Sequence, residues 1–173
     1  MAKKFNLREF QTNLSRQLQA ASTRETAFSR LGFRVGSGNW LVALDHTEEV
    51  IPVPSIVPVP GTRRWFRGMA NIRGNLFAVS DFSDFIKGSP TPDSANCRLV
   101  IPHHKFGVNA ALLVAGTLGL RNVGVYRNLE TVPDRSWVAR KYADESGAEW
   151  IDLDFSALLN DAEFMKVEAH ARS

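Results

Sequence analysis

Gly68 and Gly74 bracket the run Met69-Ala70-Asn71-Ile72-Arg73, which is too short for a helix of ordinary length. The spacing predicts a short strand entered through a tight turn, followed by a second strand from Leu76 to Val79. That second run is apolar throughout, which predicts cover on both faces. Side chains alternate along an extended chain, so Met69, Asn71 and Arg73 share one side while Ala70 and Ile72 take the other. Arg67 and Arg73 sit beside the glycines among apolar neighbours. The combination predicts a surface for a partner; on spacing alone, a turn carrying a solvated arginine is the alternative.

The rest of the chain predicts a β-rich body. Gly and Pro number 12 and 8, and helical periodicity is confined mainly to the ends. With 173 residues and 44% hydrophobic content, the chain suffices for one domain or two small lobes sharing a core. Leu7, Phe10, Leu14, Leu18 and Ala21 describe an amphipathic helix expected to dock on the body, to which Ala20 to Ser29 link it, with a partner-binding helix as the alternative. Leu31 to Val35 and Trp40 to Leu44 are β-prone runs joined by the hairpin turn Gly36-Ser37-Gly38-Asn39. Asp45 and Glu48 have the spacing of a capping box. Pro52, Pro54, Pro58 and Pro60 lack an N–H, so Ile51 to Pro60 is expected at a sheet edge or as polyproline.

Phe82 to Ile86 reads as one helical turn and Lys87 to Asn96 as an exposed loop. Strands are expected over Arg98 to Ile101, Val108 to Ala115, Trp137 to Tyr142 and Glu149 to Leu153, with short or bulged ones around Gly116, Gly119 and Gly124. Phe155, Leu158, Leu159 and Ala162 close the chain at helical spacing. The count comes to nine or ten strands.

Several function classes find no support. Cys97 is the one cysteine, so a disulfide framework and a cysteine-based zinc site are not expected. His103 and His104 are adjacent, and neighbours on a strand face opposite sides, so no metal or other cofactor is expected. Nucleophile motifs are absent, and Gly116-Thr117-Leu118-Gly119 lacks the lysine of a phosphate-cradling loop, so no catalytic residue is named. No apolar run approaches a membrane span, and Met1-Ala-Lys-Lys leads into a polar helix, which predicts a cytoplasmic protein without membrane insertion. One alternative survives. Arg63-Arg64-Trp65-Phe66-Arg67 mixes cations and aromatics as single-strand nucleic-acid binders do, although the net charge is only +3.

The pattern aromatic-apolar-basic-Gly-x-x-Asn-apolar-Arg-Gly over Trp65 to Gly74, with an apolar strand and Asp81-Phe82 behind it, resembles the signature of CheW-type chemotaxis coupling proteins. The resemblance reaches back over Phe33-Arg34-Val35-Gly36 to Ile51 and forward to Leu159. The N-terminal helix and the Trp150-containing end look closest to the PilI-type branch of type IV pilus (twitching) systems. It implies a mostly β fold of two intertwined five-stranded SH3-like barrels with N- and C-terminal helices. Residues 1–28 would then be the helix and connector, 29–165 the CheW-like domain and 166–173 a tail.

The implied function is a noncatalytic adaptor. It would bridge the cytoplasmic tip of a methyl-accepting, PilJ-like receptor to the regulatory domain of a CheA-type, ChpA-like histidine kinase, recruited to membrane-associated receptor arrays. Nucleic acid would not be a partner. Carried over by motif position, Arg73, Asn71, Arg67 and Asp81 are implied partner-binding residues, with Gly68 and Gly74 conformational. Val42, Leu44 and Val50 match the strand region that helps form the family's receptor groove. Ala78 departs from the family's usual proline and Phe82 from its leucine. Ala115-Gly116-Thr117 replaces an acidic-x-valine pattern, and Arg140 stands about where relatives carry glycine.

Overall fold

From Ser29 onward the chain is laid down as strand after strand, in keeping with its β-branched and aromatic runs. The computed structural model describes residues 28–86, 88–130 and 134–169; the helix expected from Leu7 to Ala21 lies outside the described residues. β1 (Ser29–Val35) and β2 (Gly38–Ala43) form the predicted hairpin, turned by Gly36 and Ser37. β3 (Thr47–Pro52) and β4 (Ile56–Val57) carry the proline-rich stretch. β5 (Phe66–Ile72) and β6 (Asn75–Asp81) are the glycine-bracketed hairpin, and α1 (Phe82–Phe85) is the helical turn behind it. β7 (Arg98–Pro102), β8 (Ala110–Val114) and β9 (Gly116–Asn122) follow. β10 (Arg127–Leu129), β11 (Val138–Ala143) and β12 (Glu149–Leu153) lead to α2 (Phe155–Leu159) and α3 (Ala162–Met165).

The described strands number twelve, in two sheets of six ordered β10-β11-β12-β2-β1-β9 and β3-β7-β8-β6-β5-β4. The fold is mostly β as expected, but the two five-stranded barrels are corrected to two open six-stranded sheets. β3, which ends at Pro52, and β4, which Pro54 and Pro58 flank, lie at the two edges of the second sheet, where a missing N–H costs least. The first sheet joins distant parts of the chain, because β2 pairs in parallel with β12 and β1 antiparallel with β9.

Alternation then sorts the apolar residues into layers. Trp40 and Val42 of β2, Val100 of β7, Leu112 and Val114 of β8 and Leu153 of β12 enter one large core with Phe33, Phe82 and Phe155. Their sequence neighbours face the other way. Leu99, Ile101, Ala111 and Leu113 join Ala70, Ile72 and Val79 in a second cluster, while Leu41 and Trp150 join Tyr142 in a third. Two-sided burial explains why these strands read as continuous apolar runs.

Leu76 is a correction. It is 60% exposed rather than covered on both faces, because the β5–β6 hairpin projects past the core at this point. The Asp45–Glu48 capping box is also corrected: the 3₁₀ turn Leu44–His46 starts at Ala43 without a side-chain cap, and Glu48 instead accepts from the His104 N–H. Residues 166–169 are stitched to the body, with Arg63 N–H donating to Val167 O and Ala169 N–H to Gly61 O, both near 2.9 Å.

Candidate partner-binding surface

The hairpin between β5 and β6 turns through two residues, Arg73 and Gly74, with φ of +53° and +85°. Positive φ at both central positions matches the twist of the flanking strands, which is why such turns favour Asn-Gly or Gly-Gly. Arg73 is the single non-glycine residue with positive φ among the described residues. It therefore sits in the turn rather than on the strand face shared by Met69 and Asn71. Asn71 closes the turn, its Oδ1 accepting the Gly74 N–H at 2.9 Å.

The Arg73 guanidinium reaches the Glu49 carboxylate on β3 at 2.5 Å. β7 and β8 stand between β3 and β6 in the hydrogen-bonding order. Three strand spacings of about 4.8 Å exceed what an arginine side chain spans alone, so Glu49 has to reach toward the hairpin tip as well. The contact stays open to solvent, with the Arg73 side chain 76% exposed and that of Glu49 27%. Leu76 pairs across the hairpin with Asn71, which places an exposed apolar side chain beside the polar tip. Val50, next to Glu49, and Leu44 are half-buried.

Other expected contact residues lie deeper. Val42 is fully buried in the large core, so its side chain packs rather than meets a partner. Asp81 is fully buried as well and caps α1, with Oδ1 accepting from the Asp84 N–H at 3.3 Å and the Thr91 hydroxyl at 2.7 Å. Its Oδ2 accepts the Thr91 N–H at 2.8 Å and lies 3.4 Å from Arg67. This draws Thr91 into the interior, so the loop expected to be exposed is anchored at that residue. Arg67 spans from Asp81 to Asp93, 3.8 Å away on its other side.

Gly68 has a φ of +130° beside a register shift in β5, and a Cβ there would lie 2.0 Å from Val57 O. Both the φ and the close Val57 carbonyl call for glycine at this point of β5, where β4 pairs alongside. Gly74 has open space around it, so only its φ matters.

The arginine cluster does not form an open cationic field. Arg64 makes a two-pronged contact with Asp84, Arg67 meets Asp81 and Asp93, and Arg73 meets Glu49. Trp65 and Phe66 are buried, Trp65 stacking on Phe164 and meeting Phe85 edge-on, so they offer no platform for bases. With the aromatics buried and three of the four arginines between Arg63 and Arg73 ion-paired, the nucleic-acid alternative loses most of its physical support.

The separation expected of His103 and His104 is likewise corrected. β7 ends at Pro102, His103 caps the 3₁₀ turn His104–Phe106, and the two rings lie 4.1 Å apart.

A β domain offering a rigid, charged hairpin tip with a solvent-facing apolar residue beside it has the build of a binding module. The chain belongs to the CheW-like domain family, which matches residues 30–163, and is a coupling adaptor in chemosensory signalling rather than an enzyme. It is 28% identical over 120 residues to Protein PilI of Pseudomonas aeruginosa, covering 69% of this chain and 67% of that one. Its fold resembles the crystal structure of the scaffolding protein TtCheW from Thermoanaerobacter tengcongensis, with a TM-score of 0.66 at 18% identity. That match covers 78% of this chain and 94% of the other. No helix among the described residues is long and apolar enough to cross a membrane.

Proposed function

We propose that this adaptor works in a type IV pilus chemosensory system, where it couples the cytoplasmic tip of a PilJ-like chemoreceptor to a ChpA-like, CheA-type histidine kinase. The protein acts in the cytoplasm and joins membrane-associated receptor arrays. The likeness to PilI supports the pilus assignment. The observation that carries the binding role is the preorganised hairpin tip, where Arg73 is held in a fixed turn and oriented by Glu49 while most of it stays exposed.

Arg73 offers a forked guanidinium to carboxylates or carbonyls of a partner helix, and Leu76 supplies apolar area beside it. Asn71 and Leu44 complete the contact surface, while Val50, which alternates with Glu49 and packs against the large core, supports β3 from its other face. Gly68, Gly74, Asp81, Arg67 and Val42 act from beneath, holding the hairpin and its strands in place. Occupying two partners at once raises their effective concentration for each other. Co-sedimentation with a receptor tip and a CheA-type kinase domain tests the reading: both should be retained by the wild-type chain. Retention of neither contradicts the adaptor role, and retention of only one contradicts the bridge.

A further inference from the structure

Glu48, His103 and His104 converge on one point of the surface although the sequence separates them. Glu48 lies near the start of edge strand β3, and the histidines stand where β7 gives way to its 3₁₀ turn. The Glu48 Oε2 is 2.7 Å from His104 Nδ1 and 3.7 Å from His103 Nε2. All three ligand atoms lie within 4.8 Å of one another. A zinc ion held at 2.0 to 2.2 Å by nitrogen and oxygen donors in tetrahedral geometry separates those donors by about 3.3 Å, a value that the two measured distances straddle.

We propose that Glu48, His103 and His104 form a surface site for a divalent transition-metal ion of the zinc type, bound through Glu48 Oε2, His103 Nε2 and His104 Nδ1 with water in the fourth position. Two neutral imidazoles and one carboxylate suit zinc, copper and nickel, whereas magnesium and calcium seek oxygen alone. The neighbouring cation does not compete, because Lys105 Nζ is bonded to Asp45 O at 2.8 Å and lies 3.6 Å from the Asp45 carboxylate. Binding gives up two hydrogen bonds, the one from the Lys105 N–H to His103 Nδ1 and the one between His104 Nδ1 and Glu48. His103 Nδ1 now accepts the Lys105 N–H at 3.1 Å, so ligation through Nε2 moves the ring hydrogen to Nδ1 and gives up that bond. The His104 hydrogen correspondingly moves from Nδ1 to Nε2, which faces solvent on a side chain 78% exposed. An occupied site joins β3 to the β7–β8 connection one residue away from Glu49, and so bears on the strand that orients Arg73.

Calorimetric titration of the full chain with zinc chloride tests this. One equivalent should bind, magnesium and calcium should give no heat, and cobalt should produce the visible absorption of a tetrahedral site. Zinc should also raise the melting midpoint, reversibly on addition of a chelator. H103A and H104A should each weaken zinc at least tenfold with unchanged circular dichroism, and H46A, which alters a nearby histidine outside the cluster, should bind as wild type does. Absence of zinc binding by the wild type overturns the proposal. Equal affinity in an H103A/H104A double variant overturns it too, by placing the metal elsewhere.

Discussion

Arg73, at the tip of the β5–β6 hairpin, and Glu49, on edge strand β3, meet at 2.5 Å although β7 and β8 stand between β3 and the hairpin in the sheet. An ion pair this exposed contributes at most about 1 kcal/mol to stability, because water screens the charges and two side chains are immobilised. Its effect is to hold the guanidinium in one direction. Glu49→Gln should therefore shift unfolding by less than about 1 kcal/mol while weakening partner binding several-fold, through lost preorganisation. Chemical denaturation and a binding titration on the same preparation check both halves.

Gly68→Ala should be far more damaging than an ordinary glycine substitution in a turn. The added Cβ meets the Val57 carbonyl oxygen at 2.0 Å and the Pro58 Cα at 2.8 Å, and a backbone φ of +130° adds strain. Neither neighbour is the flexible end of a side chain, so β4 must move. A loss of about 3 kcal/mol or more is expected, against about 1 kcal/mol for Gly74→Ala, whose Cβ meets nothing. Urea midpoints of the two variants give the comparison.

Asp81→Ala removes a buried carboxylate that serves the Asp84 N–H, both donors of Thr91, and Arg67. Leaving those groups without their acceptor should cost about 3 kcal/mol or more. Hydrogen exchange should then accelerate at the Thr91 and Asp84 amides first. Any loss of partner binding in this variant should scale with the unfolded fraction, in contrast to a contact residue.

Asp144 links stability to pH. Hydrogen bonds from the Ser146 hydroxyl and then the Trp150 indole lower its pKa from 3.8 to about 2. Since the folded value lies below the unfolded one, the stabilisation is fully present above about pH 4 and fades as pH falls through about 2. Asp144→Asn should melt below wild type at neutral pH, and the gap between the two should close between about pH 4 and 2. A gap independent of pH across that range would contradict the assignment.

Features set by local chemistry were legible in the sequence. The hairpin at Gly74, the edge placement of the prolines and the helical turn behind Asp81 each follow from backbone geometry over a few residues. The family was legible too, because its motif has fixed spacing over Trp65 to Asp81. The carboxylate partners of the arginines were hidden, since Glu49 reaches Arg73 past two intervening strands and Asp93 reaches Arg67 only through the loop that Thr91 anchors. Leu76 was hidden for a related reason: its apolar run gives no sign of where the hairpin leaves the core. Asp81 and Val42 carry motif positions, yet their burial assigns them to the interior beneath the surface.

The most direct measurement pairs two substitutions at Arg73. Arg73→Ala removes the guanidinium, while Arg73→Asn also creates the Asn-Gly sequence that two-residue hairpin turns favour, so the turn itself is preserved or improved. Both variants should unfold within about 1 kcal/mol of wild type, yet both should bind the receptor tip or the kinase domain more weakly by about 2 kcal/mol, the scale of an interface hot spot. Arg127→Ala, an exposed arginine on edge strand β10, should change neither quantity. Wild-type affinity for both partners in Arg73→Asn would contradict the placement of the surface at the hairpin tip.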